Sequence, residues 1–230
     1  MNINDIHNVI LFYLNKDQQG FITHEEIDLA LDRAQMTLFN DYHSNPKLPA
    51  RTQTEVYGES QRIDDALSPF KEKYTFTALL TPSGVISLPN DYMHLISLYT
   101  TVYNSQLGRN VYSAVQVLSE DELIDRLESQ VIPVSADDPV AIMNKQNKIQ
   151  LFPEVGSTGA VYYFRRPVVP KFAYTQVGRS INYDAGNSVQ LEWKEMDINN
   201  IIVSALQSYG LNLSSQDIIQ FGAAKEAQGQ

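Results

Sequence analysis

The 230-residue sequence contains no cysteine, which excludes disulfide bonds, thiolate nucleophiles and metal sites built on thiolates. Long apolar runs are also missing, and none approaches the ~20 residues that a membrane-spanning helix needs. The first residues lack the basic and then apolar order of a secretory signal peptide. From these absences we expect a protein that folds without covalent cross-links and acts away from membranes.

Basic side chains are scarce, with 17 Lys and Arg against 27 Asp and Glu, so the formal net charge is −10. Affinity for nucleic acid depends mainly on contacts of Lys and Arg with phosphates, and general binding of DNA or RNA is therefore not expected. Arg165 and Arg166 form the only adjacent basic pair. Tyrosine, in contrast, is abundant, with 13 residues. It favours strands, and it also favours surfaces that become buried on assembly.

Sequence motifs of catalysis and nucleotide binding are absent as well. There is no Walker A pattern, no Gly-x-Gly-x-x-Gly and no Gly-x-Ser-x-Gly nucleophile elbow. No two histidines are four residues apart, as a helical zinc pair requires, and each is predicted to be a surface or turn residue. The four are His7, His24, His43 and His94. We therefore predict no catalytic residues and no cofactor, with a hydrolase of unrecognised site as an alternative.

Residues 15–26 resemble a calcium-binding EF-hand loop, the sharpest local motif in the chain. Oxygen-bearing side chains occupy its first, third, fifth and last positions, and glycine occupies the sixth. These four residues are Asn15, Asp17, Gln19 and Glu26. Only two of them are carboxylates, no second loop accompanies this one, and a capping box of Thr23 with Glu26 explains Glu26 without a metal. We predict no metal site and keep a calcium-binding module as an alternative.

Apolar residues recur at helical spacing near both ends of the chain. The N-terminal stripes predict one helix over residues 3–13 and a second that begins at the Thr23–Glu26 capping box and ends near Tyr42. Near the C-terminus, a stripe over residues 196–209 predicts a helix that Gly210 ends, and Ser214 caps a last helix. Such stripes need an apolar partner, so we expect the helices of the two ends to pack together.

The middle of the chain changes to the two-residue alternation of strands. About seven short strands are predicted, beginning with a hairpin that joins residues 74–78 to residues 85–88 and including a single strand over residues 111–118. Another hairpin joins residues 140–143 to 148–152, and Ser119 with Glu122 forms a capping box that opens a short helix. Residues 166–187 contain two prolines and two glycines and are predicted to form a long extended loop.

The order of elements, helices followed by strands and then by helices, is typical of an α+β fold. We predict a helical domain of residues 1–70 and 188–230. Inserted into it is a strand-rich antiparallel domain of residues 71–187, which includes the extended loop 166–187. The length of the chain is sufficient for two such small domains.

A series of short motifs runs along nearly the whole chain. The motifs are Asn15–Thr23, Ala34–Gln35, Leu38–Tyr42, Gly84–Tyr92, Ile149–Pro153, Tyr162–Pro167, Val189–Trp193, Ile201–Ile202 and Ala205–Leu206. In this order they resemble virion proteins of crAss-like and related short-tailed phages. None of the motifs contains catalytic or ligand-binding residues, so the resemblance rests on the order in which the motifs occur. It implies a head-to-tail connector or adaptor protein that forms a ring below the portal.

Proteins of this family combine a helical part with a strand-rich part and assemble as rings, commonly twelvefold, and have no known catalytic residues. The resemblance therefore implies a structural protein of the virion, located at the head-to-tail junction after assembly in the host cytoplasm. The implied partners are other copies of the chain, the portal, neighbouring tail or ring proteins, and DNA that passes without sequence-specific binding. Another tail or minor capsid protein is the alternative within the same class.

Contacts in a ring join one face of a subunit to a different face of the next subunit. Arg and Tyr often anchor contacts between proteins, and we take those that flank or occupy the predicted loop 166–187 as interface candidates. They are Arg165, Arg166, Tyr174 and Tyr183. The alternative is that these four are ordinary strand and loop residues.

Overall fold

The computed structural model describes residues 1–16, 22–44, 61–77, 84–104, 108–145, 147–153, 158–178 and 180–210. The helices are α1 (Ile3–Lys16), α2 (His24–Ser44), α3 (61–67), α4 (Glu120–Glu128) and α5 (Glu195–Ser208). The strands are β1 (Lys71–Thr77), β2 (Val85–Ser87), β3 (Tyr92–Asn104), β4 (Arg109–Ala114), β5 (Gln116–Leu118), β6 (Val140–Asn144), β7 (Lys148–Phe152), β8 (Thr158–Arg165), β9 (Tyr174–Val177) and β10 (Ser180–Tyr183). The predicted α+β fold is confirmed.

The chain divides into two compact units. The helical unit contains Met1–Pro69 and Pro167–Gln230, and the strand-rich unit is the inserted segment Phe70–Arg166. The residues from 167 to 187, which the sequence pattern places in the strand-rich domain, thus group with the helices. They do not form one long extended loop either, because β9 and β10 pair as an antiparallel hairpin, in which Gly178 has a φ of 67°.

Apolar stripes on three helices hold the helical unit together. The side chains of Ile6, Ile10, Ile27, Leu31 and Ile202 are fully buried. They lie on α1, α2 and α5, and each of these helices contacts the other two. Burying an aliphatic side chain of this size contributes ~1.5–3 kcal/mol. The helices of the two chain ends therefore pack together, as predicted.

Phe172 attaches the segment after Pro167 to these helices. Its ring is buried and stacks on His7 and His24, with centroid distances of 4.5 and 4.3 Å. Its backbone N–H donates to the carboxylate of Asp28, which is 144 residues away along the chain. Local composition, with its prolines and glycines, contains no sign of such distant contacts. This is why the sequence pattern predicts an open loop instead.

Both predicted capping boxes are present. At the start of α2, the N–H of Thr23 donates to Glu26 Oε2 at 2.8 Å and the N–H of Glu26 donates to Thr23 Oγ1 at 3.3 Å. Ser119 and Glu122 make the same exchange at α4. Each hydroxyl cap contributes ~1 kcal/mol to its helix. The predicted last helix that Ser214 would cap lies outside the described residues.

Two four-stranded sheets form the strand-rich unit. The first has the order β1-β8-β3-β4 and is antiparallel, and the second has the order β2-β7-β6-β5, with a parallel β5–β6 pair. One core cluster draws buried side chains from both sheets, including Leu98 and Val161 of the first and Ile149 and Leu151 of the second. Helix α4 packs through Leu123 on strand β6.

Two predictions about strands are wrong. Strand β1 does not form a hairpin with β2, because β1 pairs with β8 over seven residues and β2 pairs with β7 over three. Each cross-strand pair stabilises by ~0.2–1 kcal/mol, so the longer ladder outweighs proximity along the chain. The single strand predicted over residues 111–118 is divided at Val115, whose N–H donates to the carbonyl of Leu98. As a result β4 joins the first sheet and β5 joins the second.

Candidate interaction surface

One side of the first sheet carries a groove lined by aromatic, hydroxyl and basic side chains. Because side chains alternate along a strand, odd-numbered residues of β1 share a side with even-numbered residues of β8, their register partners. We call this surface the tyrosine face, defined by Lys71, Lys73, Tyr99, Tyr112, Thr158 and Tyr162. The opposite side of the sheet contributes Leu98 and Val161 to the core. The sheet is therefore buried on one side and available for contact on the other.

The tyrosine face forms a groove of about 730 Å³. Tyr99 and Tyr162 meet edge to face, with ring centroids 6.0 Å apart and ring planes at 89°. Tyr112 is 77% exposed. The Nζ atom of Lys73 lies 5.6 Å from the ring centre of Tyr162, and such a contact at an exposed site contributes ~0.5–1 kcal/mol. The rings of Tyr99 and Tyr162 and the charge of Lys73 are thus positioned before any partner binds.

The charge of this groove differs from that of the whole chain. Two lysines and no carboxylate occur among the described residues that line it, whereas the chain carries a net charge of −10. Tyrosine rings offer apolar area together with a hydroxyl group, and lysines attract carboxylates. The groove is therefore suited to an apolar partner that carries acidic groups.

A second unusual surface lies on α4 and the residues that follow it. Leu123 points inward to Val140 and Ile142. The side chains of Ile124, Leu127, Val131 and Ile132 are instead exposed, to between 48% and 89%. We call these four residues, together with Glu120, Asp121, Asp125 and Glu128 beside them, the α4 patch. Large aliphatic side chains grouped on a surface are typical of interaction sites.

Arg126 fixes the shape of the α4 patch. Its Nη1 donates to the carbonyl of Ile132 at 2.6 Å, and its Nη2 pairs with Asp138. The side chain of Ser129 also accepts from the N–H of Ile132 at 3.2 Å. The exposed apolar residues after the helix are therefore held against it, and binding through them costs less ordering entropy.

The helical unit contains two neighbouring histidines, of which His7 is buried and His24 is partly buried. His7 is 1% exposed, so the prediction that every histidine is a surface or turn residue is wrong for it. Its Nε2 lies 2.9 Å from Asp28 Oδ1, and its Nδ1 lies 3.1 Å from Nδ1 of His24. A hydrogen bond between two ring nitrogens requires that one donates and the other accepts. The pair therefore cannot keep this geometry with both rings fully protonated.

The surroundings of His24 disfavour its charged form. Burial is the main cause that lowers the pKa of His24, and the nearby His7 lowers it further. The carboxylates of Glu25 and Asp28 act in the opposite direction but do not cancel these effects. The hydroxyl of Tyr174 donates to Glu25 at 3.0 Å. His24 is thus held between an apolar stack with Phe172 and two acidic neighbours.

We expect this lowered pKa to make the helical unit less stable in acid. The unfolded chain binds the proton of His24 more tightly than the folded chain does, so stability rises with pH between the folded and the unfolded pKa. The contribution is complete above about pH 6.5 and is lost as the pH falls through that value towards the folded pKa. His24→Gln should therefore reduce the loss of thermal stability between about pH 7.5 and pH 5.5.

Fluorescence of Trp193 measures this effect, because it is the single tryptophan of the chain and lies buried in the helical unit. His43→Gln is the matched control, since His43 lies exposed in the last turn of α2. That variant should keep the pH dependence of the parent protein. An equal pH dependence in the parent and in His24→Gln would contradict the prediction.

The EF-hand-like loop is only partly described. Glu26 is described, and its carboxylate accepts from the N–H and the hydroxyl of Thr23. Asn15 is exposed at the end of α1, whereas Asp17 and Gln19 lie outside the described residues. In the part of the chain that the structure describes, no three His, Asp or Glu side chains are grouped as a metal site requires.

The predicted interface residues lie in different surroundings. Arg165 is mostly buried, with its Nε 3.5 Å from Glu72 and its guanidinium over the ring of Phe70, and Arg166 is exposed. The hydroxyl of Tyr183 accepts from Gln190, and its ring stacks on Phe172. Tyr174 donates to Glu25. Arg165, Tyr174 and Tyr183 thus make contacts within their own unit, and none of the four residues lines the tyrosine face.

The tyrosine face contains residues that sequence reasoning did not select. Its tyrosines are Tyr99, Tyr112 and Tyr162, which lie on three different strands. The sequence signal for one edge is the alternation of Lys71, Lys73, Thr75 and Thr77. That alternation identifies a strand with one polar side. It does not reveal which strands pair with it, and without the pairing the tyrosines cannot be assigned to one surface.

Comparisons with known proteins do not place the chain in a family. No protein-family model matches it, and no curated protein is significantly similar to it. Among the described helices, none has the length and apolarity needed to cross a bilayer.

Proposed function

We propose that the chain is a structural protein of a phage virion, a ring subunit of the head-to-tail connector below the portal. The observation that carries this proposal is the open tyrosine face. Tyrosine is enriched where proteins contact one another. Three tyrosines on one exposed side of a sheet also leave more apolar area in contact with water than is favourable. In the proposed ring this side is buried between subunits. The resemblance of the sequence to connector proteins of short-tailed phages supports the same role.

The surroundings of the histidine pair support a structural rather than an enzymatic role. A general base must come within hydrogen-bond reach of a substrate. Nε2 of His7 instead contacts Asp28, and its Nδ1 contacts His24, while Asp28 also accepts from the backbone of Phe172. These groups fix the segment after Pro167 to the helices. The ring nitrogens of His7 and the carboxylate of Asp28 are thus used for hydrogen bonds within the fold.

The charge of the chain supports the passage of DNA through such a ring. With a net charge of −10, most of its surface repels a phosphate backbone. DNA that moves through an acidic opening does not adhere to its wall. The proposed partners are therefore other copies of the chain, the portal and the adjacent tail or ring proteins, with DNA as a passing substrate that is not bound by sequence.

Electron microscopy and mass photometry of the purified protein, alone and mixed with the portal of its phage, test this proposal. We expect closed rings, commonly twelvefold, that stack on the portal, and the portal alone is the control. Rings that form but do not stack would move the protein to another place in the tail or capsid. Monomers under all conditions would contradict the proposal.

A further inference from the structure

We propose that the tyrosine face of one copy binds the α4 patch of the next copy. This inference rests on the proposed function, since it names the contact by which subunits of the ring would join. Both surfaces belong to the strand-rich unit, on different elements of it. Each copy therefore presents one of each. The contact is heterologous, and such contacts generate rings when the rotation between copies closes.

The apolar residues of the α4 patch require a cover. Ile124 and Leu127 are three residues apart and lie on one side of the helix, and Val131 follows in the segment after the helix ends. Ile124 is 56% exposed and Val131 is 89% exposed. The groove on the tyrosine face is lined by aromatic rings and by Ile96, and its volume of about 730 Å³ is sufficient to receive aliphatic side chains. Each surface can therefore cover the exposed apolar side chains of the other.

Charge selects this pairing over the alternatives. Helix α4 carries five carboxylates and one arginine, whereas the described lining of the groove carries Lys71 and Lys73 and no carboxylate. Two tyrosine faces would bring lysines together, and two α4 patches would bring carboxylates together. Like charges placed against each other disfavour an interface, so symmetric pairing of either surface with itself is opposed. The lysines of one copy and the carboxylates of the next attract.

Engineered cysteines test the contact, because the natural chain has none and only the introduced thiols react. Tyr112→Cys and Ile124→Cys place one thiol on each exposed surface. Under mild oxidation, an equimolar mixture of the two single variants should give one cross-linked dimer. The double variant should give a ladder of multimers, since each copy then carries both halves of the contact. In the control mixture, Met196→Cys replaces Ile124→Cys, because Met196 is 76% exposed and lies on α5.

Charge reversal gives a second test that does not depend on thiols. Lys71→Glu with Lys73→Glu should weaken association about tenfold, as expected when two exposed ion pairs become repulsive. Adding Asp125→Lys with Glu128→Lys should restore it, and lysine in the last turns of α4 also favours the helix dipole. Thermal unfolding of each variant shows whether it remains folded.

The outcomes separate this contact from the proposed function. Assemblies that form in electron microscopy but give no Tyr112→Cys to Ile124→Cys cross-link above the Met196→Cys control would overturn the contact and leave the ring standing. If Asp125→Lys with Glu128→Lys did not restore the association that Lys71→Glu with Lys73→Glu weakens, this result would also count against the contact. A protein that never assembles would overturn the proposed function, and the contact with it.

Discussion

Replacing Asp28 with alanine is expected to lower the free energy of unfolding of the helical unit by about 3 kcal/mol. The two carboxylate oxygens accept from the backbone N–H of Phe172 at 3.1 and 2.9 Å, and one of them also lies 2.9 Å from Nε2 of His7. Both partners are buried. Without the carboxylate, two buried polar groups lose their partner, and a buried group without a hydrogen bond is costly.

Urea unfolding followed by the fluorescence of Trp193 measures this loss, because that residue reports on the helical unit. Asp41→Ala is the matched control, since Asp41 is an exposed carboxylate on the same helix, and its change should stay within about 0.5 kcal/mol. We also expect faster amide exchange over the hairpin β9–β10 in Asp28→Ala. Equal stability of the two variants would show that Phe172 is held by its ring contacts alone.

The terminal helices could be predicted because their determinants are local. The stripe of Ile27, Leu31 and neighbouring residues has helical spacing, and the capping box of Thr23 and Glu26 is complete within four residues. The hairpin of β6 and β7 is local in the same sense, with Asn147 at a φ of 54° in its turn. Where the physical cause of an element lies within a few residues, sequence patterns identify it.

Elements that depend on distant partners could not be predicted in this way. The segment after Pro167 joins the helical unit through Phe172 and Asp28, and neither residue identifies the other in a sequence. Strand β1 pairs with β8, which begins more than 80 residues after β1 ends. Proximity along the chain favours pairing of β1 with β2, but β2 has only three residues that pair with a neighbouring strand.

The tyrosine face illustrates the same limit for a candidate site. Tyr162 reaches the groove through the pairing of β8 with β1 and β3, and Tyr112 through the pairing of β4 with β3. Both registers must be known before the rings can be placed on one side. The α4 patch was hidden for a different reason, because a capping box and an acidic first turn are typical of any exposed helix. Only the exposure of Ile124 and Leu127 distinguishes it.

A glycine-to-alanine replacement at residue 159 is expected to lower the stability of the strand-rich unit by about 3 kcal/mol. Gly159 lies in β8 between Phe76 of β1 and Thr100 of β3. A Cβ atom added there would overlap the backbone oxygen of Tyr99 and lie 2.5 Å from Cζ of Phe76. The ring of Phe76 is buried in the core, and the carbonyl belongs to the neighbouring strand, so neither can move without disturbing the sheet.

Hydrogen exchange over β3 and β8, measured by mass spectrometry, locates this effect. Gly186→Ala is the matched control, because the nearest atom to an added Cβ there is 3.5 Å away, an ordinary contact distance. Adding Phe76→Leu to Gly159→Ala should recover only part of the loss, since the overlap with the carbonyl of Tyr99 remains. The tyrosine face spans these same strands, so Gly159→Ala should also weaken assembly, while Gly186→Ala should not. Equal exchange rates over β3 and β8 in Gly159→Ala and Gly186→Ala would contradict this prediction, because they would mean that the two strands separate at little cost in free energy.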